Sequence, residues 1–222
     1  MTKTGLLLLA ALAIPFQAFA VDGVVLINQS TVMATGGFPY RITQPGSYRL
    51  TGNLTIGSTQ NGNLDSVDSA IWIQSNNVTL DLNGFSIIVT DSLGGALTHP
   101  IYAIVEAGRY RGITIRNGTI DVTSNSSNVL GSNLNGIYLK TSHHGLLDSL
   151  AITAIGAAAN AFLPQGAPVQ LGSDFVLNRI RANAGFGTIL CSGGVVVNSV
   201  INFMSLAGCA TSAISIASTY SQ

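Results

Sequence analysis

The chain has 222 residues, of which 47% are hydrophobic and only 8% charged, and its 9 basic residues balance 9 acidic ones. One domain of this length can bury a sizeable core, but it carries no basic field to hold a phosphate backbone, which argues against nucleic acid as a partner. Ser, Thr, Asn and Gly supply most of the polarity, and that composition disfavours a mostly helical fold.

Lys3 precedes an apolar run over residues 5–16, and Ala18 and Ala20 put small residues where a signal peptidase reads. Residues 1–20 are therefore expected to be a secretory signal peptide cleaved before Val21. About 12 apolar residues fall short of the roughly 20 that span a bilayer, and no other window is apolar enough to cross one. The expected location is periplasmic, extracellular or at the cell surface. Export permits a disulfide between Cys191 and Cys209, the only two cysteines, although their places at the end of one strand and before the next leave pairing open. Without a nearby His they make no zinc site, and neither a metal nor a cofactor is expected.

Residues 21–56 read as an N-terminal cap and first turn of a repeating structure. Residues 23–27 (GVVLI) form a strand pattern, and Ser30 is placed to cap a short helical turn through Ala34 that Gly36 and Gly37 stop. Residues 38–42, 47–50 and 54–56 then read as short strands, with Pro45-Gly46 as a turn.

Residues 57–222 carry the repeats. The clearest strand lies in residues 77–87 (NVTLDLNGFSI), where Val78, Leu80 and Leu82 alternate with Thr79 and Asp81 before Asn83-Gly84 turns the chain. A second pattern returns at Ile71, Ile104 and Ile137, each 33 residues after the last, then at Thr188 and Ile214, with room for an extra strand near residues 168–171. Ile71, Ile104, Ile137 and Ile214 are expected to form one inward row, and Val78, Ile113, Leu146, Val176 and Val196 a second. Asp148, Asn178 and Asn198 recur at bends, where their side chains are expected to bond from one turn to the next. The polar stretches 57–69, 90–100 and 123–135 and the Ala-rich stretch 155–168 are expected to be loops.

Residues 44–56 (QPGSYRLTGNLTI), 71–73 (IWI) and 77–87 resemble the exported bacterial right-handed parallel β-helix proteins of the pectin-lyase-like superfamily, a likeness that covers roughly residues 38–216. The resemblance implies an all-β, right-handed parallel β-helix solenoid with an N-terminal cap and about six or seven rungs. It implies no single activity, since such helices include lyases, hydrolases, adhesins and phage tailspikes.

His143-His144-Gly145 and Arg179-Ile180-Arg181 look like the His-Gly and Arg-Ile-Lys elements of polygalacturonases, which makes His144 and Arg179 candidate catalytic residues. The paired carboxylates that glycoside hydrolysis needs are not recognisable beside them, and a His-Gly at a turn is the plainer reading. Asp65, Asp68, Asp91 and Asp121 are too scattered to gather a calcium ion for a lyase. Glu106 holds the repeat position of Ile73 and Leu139. Buried there it would be a candidate acid, but the favoured expectation turns it outward towards Arg109 or Arg111. Trp72, Val105 and Tyr138 align on the outward face, flanked by Gln74 and Lys140, so Trp72, Tyr138 and Lys140 are the candidate glycan-binding residues unless a loop folds over the rings.

The leading expectation is an exported protein with a non-catalytic binding or surface-structural role and a polysaccharide partner. The alternative is a carbohydrate-active enzyme, a polysaccharide lyase or glycoside hydrolase acting on a polyuronate. The C-terminal rung with the apolar strand at residues 213–216 is expected to be covered by a partner, most simply another copy of the chain, or to be left frayed, because a terminal rung exposes unpaired backbone and core.

Overall fold

A computed structural model describes residues 23–57, 68–91, 101–106, 108–124, 134–156, 169–184, 188–202, 205–212 and 215–217. In chain order the elements are β1 (Val24–Ile27), α1 (Gln29–Ala34), β2 (Tyr40–Ile42), β3 (Gly46–Leu50), β4 (Leu54–Gly57), β5 (Asp68–Ile73), β6 (Val78–Asp81), β7 (Ser86–Asp91), β8 (Ile101–Glu106), β9 (Thr114–Ser124), β10 (Leu134–Gly156), β11 (Val169–Ala184), β12 (Thr188–Val197), β13 (Val200–Asn202), β14 (Ser205–Ser212) and β15 (Ser215–Ala217). The described chain is therefore all-β with one short helix. All the strands belong to a single 15-stranded sheet built from parallel pairs. The expected signal peptide, residues 1–20, lies outside the described residues, and no described helix is long and apolar enough to cross a membrane.

The register sorts the strands into three columns. In the first, Tyr40 pairs with Ile71, Ile71 with Ile104, Ile104 with Ile137, Ile137 with Val169 and Val169 with Ile189. Ile71, Ile104, Ile137 and Val169 are all buried, so the expected inward row exists and Val169 supplies the extra strand. Ile214, its expected last member, lies outside the described residues.

The second column runs Val25, Tyr48, Leu80, Ile115, Leu147, Leu177, Val196. Here Leu146 and Val176, expected inside, must be corrected by one residue: Leu147 and Leu177 are buried, and Val176 is 41% exposed. The cause lies one position earlier, where Gly145 pairs with Phe175. A Cβ on Gly145 would sit 2.1 Å from Cε1 of Phe175, so that ring fills the inward space which the glycine leaves empty. Since side chains alternate with period two, taking the first aliphatic residue after the glycine as the inward one turns the whole segment over.

The third column joins Leu54, Ile87, Ile120, Ile152, Ala182 and Ile201. One strand can serve two columns: β9 pairs with β6 through Thr114–Arg116 and with β7 through Thr119–Ser124. The sheet thus curls, and two sets of left-handed residues mark where. Asn77, Gly112, His144 and Asp174 bend the chain between the first and second columns, with φ of 54°, 68°, 54° and 60°. Asn83, Asn117, Ser149, Arg179 and Asn198 bend it between the second and third, with φ from 51° to 59°. Asn, Asp and Gly tolerate this conformation best, which is why they punctuate the repeats.

At the β1 side of the sheet, α1 packs Val32 into the core. Its cap is Asn28 rather than the expected Ser30: the Asn28 side chain accepts from the Thr31 N–H, and the Thr31 hydroxyl accepts from the Asn28 N–H. This reciprocal pair satisfies two backbone donors, so the helix begins two residues earlier than a cap at Ser30 would allow. Gln29 then reaches β4, its amide donating to the Thr55 carbonyl at 3.1 Å and accepting from the Thr55 N–H at 2.9 Å.

Candidate functional site

His144 and Arg179 are both bend residues. The His144 ring is 67% exposed, with Nε2 3.5 Å from an Asp174 carboxylate oxygen, and the Arg179 side chain is 61% exposed. The pairing of His143 with Ser173 and of Gly145 with Phe175 sets His144 beside Asp174, five residues before Arg179. At about 3.3 Å per residue the two candidates stand roughly 16 Å apart, at opposite ends of one short stretch of sheet. The structure does not bring them together. The closer imidazole contact was missed: His143 Nδ1 and Ser173 Oγ share a hydrogen bond of 2.6 Å. The sequence signal for it was the interval of 30 residues, the same as that from Asp148 to Asn178.

Asp81, Glu106 and Asp148 are engaged across neighbouring strands. Asp148 accepts from Arg179 Nε at 3.1 Å and Nη2 at 2.6 Å and from Asn178 at 2.8 Å, and Asn178 in turn accepts from Asn198 at 3.1 Å. This is the expected ladder, extended by an arginine. The Arg179 hydrogen bond, foremost, and the Asn178 bond hold the Asp148 carboxyl below the usual aspartate range, against an opposing push from burial. Asp81 repeats the theme two strands earlier, accepting from Arg116 Nε at 3.2 Å and from Asn117 at 3.3 Å.

Glu106 does not turn outward to Arg109 or Arg111, as the sequence led us to expect. It is buried, 7% exposed, and its first carboxylate oxygen accepts from the Thr141 N–H at 2.6 Å and the Thr141 hydroxyl at 2.5 Å, while the second accepts from the Ser142 hydroxyl. The reason is a local mismatch in strand length. Between Leu139 and His143 β10 carries two more residues than β11 does between Leu171 and Ser173, and this bulge lays polar donors over the inward position. A carboxylate there satisfies donors that an aliphatic side chain would strand.

The outward row does align Arg41, Trp72, Val105 and Tyr138. It is not an open platform, however. The Arg41 guanidinium lies 4.2 Å from the centroid of the Trp72 ring, and Val105 at the middle of the row is 4% exposed. The indole N–H of Trp72 is buried without a hydrogen-bond partner. Tyr138 meets Tyr102 edge to face at 5.1 Å; burial, and then that neighbour, push the Tyr102 phenol up to about 12. Lys140 lies in β10 with its side chain outside the described set, as are the side chains of Cys191 and Cys209, whose strands pair so that Cys209 faces Gly194. Of the aspartates considered for calcium, Asp121 pairs with Ile88, and Asp65 lies outside the described residues. Among the described residues no three metal-ligating side chains gather.

Fold and site together define an all-β protein on one curled parallel sheet, an arrangement compatible with a β-helix. No family model, curated protein or solved structure matches the chain.

Proposed function

We propose that this chain is an exported, right-handed parallel β-helix of the pectin-lyase-like kind, with a non-catalytic binding or surface-structural role and glycan as its ligand class. The three columns become the three walls of a solenoid, and α1 with Gln29 its N-terminal cap. The charged, apolar and small residues of positions 3–20 support export to the periplasm or beyond. The observation that carries the non-catalytic reading is the use of the carboxylates. Asp81, Glu106 and Asp148 are each held by two or more donors from the next strand, which is a structural role. Glycoside cleavage needs two carboxyl groups about 5–10 Å apart across the scissile bond.

A ligand surface is best supported beside Trp72 and Tyr138, where aromatic rings border the outward row. The test is to screen the purified protein against polyuronates and neutral glycans, for binding and for release of reducing or unsaturated ends. We expect binding without release, weakened about tenfold by Tyr138→Ala and unchanged by His144→Ala or Arg179→Ala. Release that disappears in either of the latter variants would instead establish the carbohydrate-active enzyme.

A further inference from the structure

We propose that a disulfide joins Cys191 to Cys209 and ties β14 to β12. The sequence set these residues at the end of one strand and ahead of the next, which left their pairing open. Both instead lie inside strands, Cys191 in β12 and Cys209 in β14, and those strands pair in parallel. The register fixes their separation. Leu190 pairs with Ala207, Cys191 follows Leu190 by one residue, and Cys209 follows Ala207 by two. Leu190 and Ser192, on either side of Cys191, both pair with β11, so β12 advances as a strand through Cys191. One residue of offset, about 3.3 Å, combined with a strand spacing of about 4.8 Å puts the two Cα atoms about 6 Å apart. Disulfides bridge Cα separations of about 4.4–6.8 Å.

The local backbone favours closure. Gly194 pairs directly with Cys209, Gly193 precedes Gly194, and Gly208 precedes Cys209, so the two strands can approach there without Cβ atoms between them. β12 also takes four steps from Leu190 to Gly194 where β14 takes two from Ala207 to Cys209. Strict alternation of faces is lost at such a bulge, and counting by twos does not hold the cysteines on opposite sides of the sheet. The bridge supplies what packing at β14 does not. That strand, SLAGCATS, has one large aliphatic side chain, Leu206, so burial contributes little to its place on the sheet. It leads directly into residues 213–216, the expected terminal rung, of which Ala213 and Ile214 lie outside the described residues.

Closure is a thiol–disulfide exchange: one cysteine thiolate attacks a disulfide donor such as glutathione disulfide, and the second then displaces the donor's remaining thiol. The donor takes up two electrons and leaves as two thiols, which gain the two protons that the cysteines lose. The inference goes beyond the binding role and does not depend on it. Export supplies only the oxidising compartment.

The purified, folded protein, reduced and then exposed to glutathione disulfide, should become two hydrogens lighter and resist alkylation at both cysteines in denaturant. Digestion should release one cross-linked peptide pair that contains Cys191 and Cys209. Reducing the protein again should speed amide exchange in β12 and β14 about a hundredfold, the effect of opening a loop whose ends are 18 residues apart. Cys191→Ser and Cys209→Ser should each match the reduced parent, which separates the bridge from the reductant. Cysteines that stay free after oxidation, or that each carry glutathione, overturn the proposal, as does a bridge between two chains. So does an intramolecular bridge that forms as readily in urea as in the folded protein, or exchange that reduction leaves unchanged.

Discussion

Glu106 shows how one side chain can be fixed by its neighbours' geometry against its own chemistry. Its column partner in β5 is Ile73, and an aliphatic residue would meet the same apolar neighbours. Leucine at 106 therefore gains hydrophobic contact, but it strands the Thr141 N–H and the Ser142 hydroxyl, which now donate to the carboxylate. Burying unsatisfied donors costs about 1–3 kcal/mol each, against roughly 1–2 kcal/mol gained from the added apolar surface, so the donors win. We expect Glu106→Leu to lower stability by about 1–3 kcal/mol in denaturant titration, and Glu106→Gln, which retains an acceptor, by less. A Leu variant as stable as the parent would mean that the 140–142 bulge finds other partners. The repeat set the position beside Ile73 and Leu139, yet the favoured reading of the sequence turned it outward. Its burial was not legible, because the extra residues that supply the donors show only once β10 and β11 are aligned.

Between strands, the Asp148 ladder converts a repeat of bend residues into register. Asn198 bonds Asn178, Asn178 bonds Asp148, and Arg179 closes on the same carboxylate, so a slip of one residue would break the set together. Arg179 holds the Asp148 carboxyl below its ordinary value, and a lowered folded-state value fixes the sign of the pH effect. The ion pair's contribution is present above about pH 4, where an unfolded aspartate is charged, and is lost as pH falls through the folded value. Asp148→Asn should thus be less stable than the parent near neutral pH, with the gap narrowing progressively below about pH 4. Urea titrations at both pH values measure it, and a gap independent of pH would show that Asp148 acts by packing alone. The ladder was readable from its intervals. Two other features at this scale were not. The third column was hidden because β9, β10 and β11 run unbroken through two or more columns with a single left-handed residue at each bend. The Leu146 to Leu147 correction was hidden because the inward side chain at Gly145 is borrowed from Phe175 on the next strand.

Among the described residues, each strand pairs only with its predecessor and successor within a column. If the columns are walls of a solenoid, stability is close to a sum over layers and their interfaces, and damage should stay local. Ile137 tests this, because it is fully buried between Ile104 and Val169 and belongs to the middle of the stack. Aspartate there places an unpaired charge in the core, which should cost several kcal/mol, about 3–5. In a closed globular core that loss would lower protection everywhere. In a layered sheet it should speed amide exchange in β8, β10 and β11 while β1, β3 and β6, two or more layers away, keep most of their protection. Exchange that rises uniformly from β1 to β12 in Ile137→Asp would show one cooperative unit, and with it a core that is continuous across the columns rather than stacked along them.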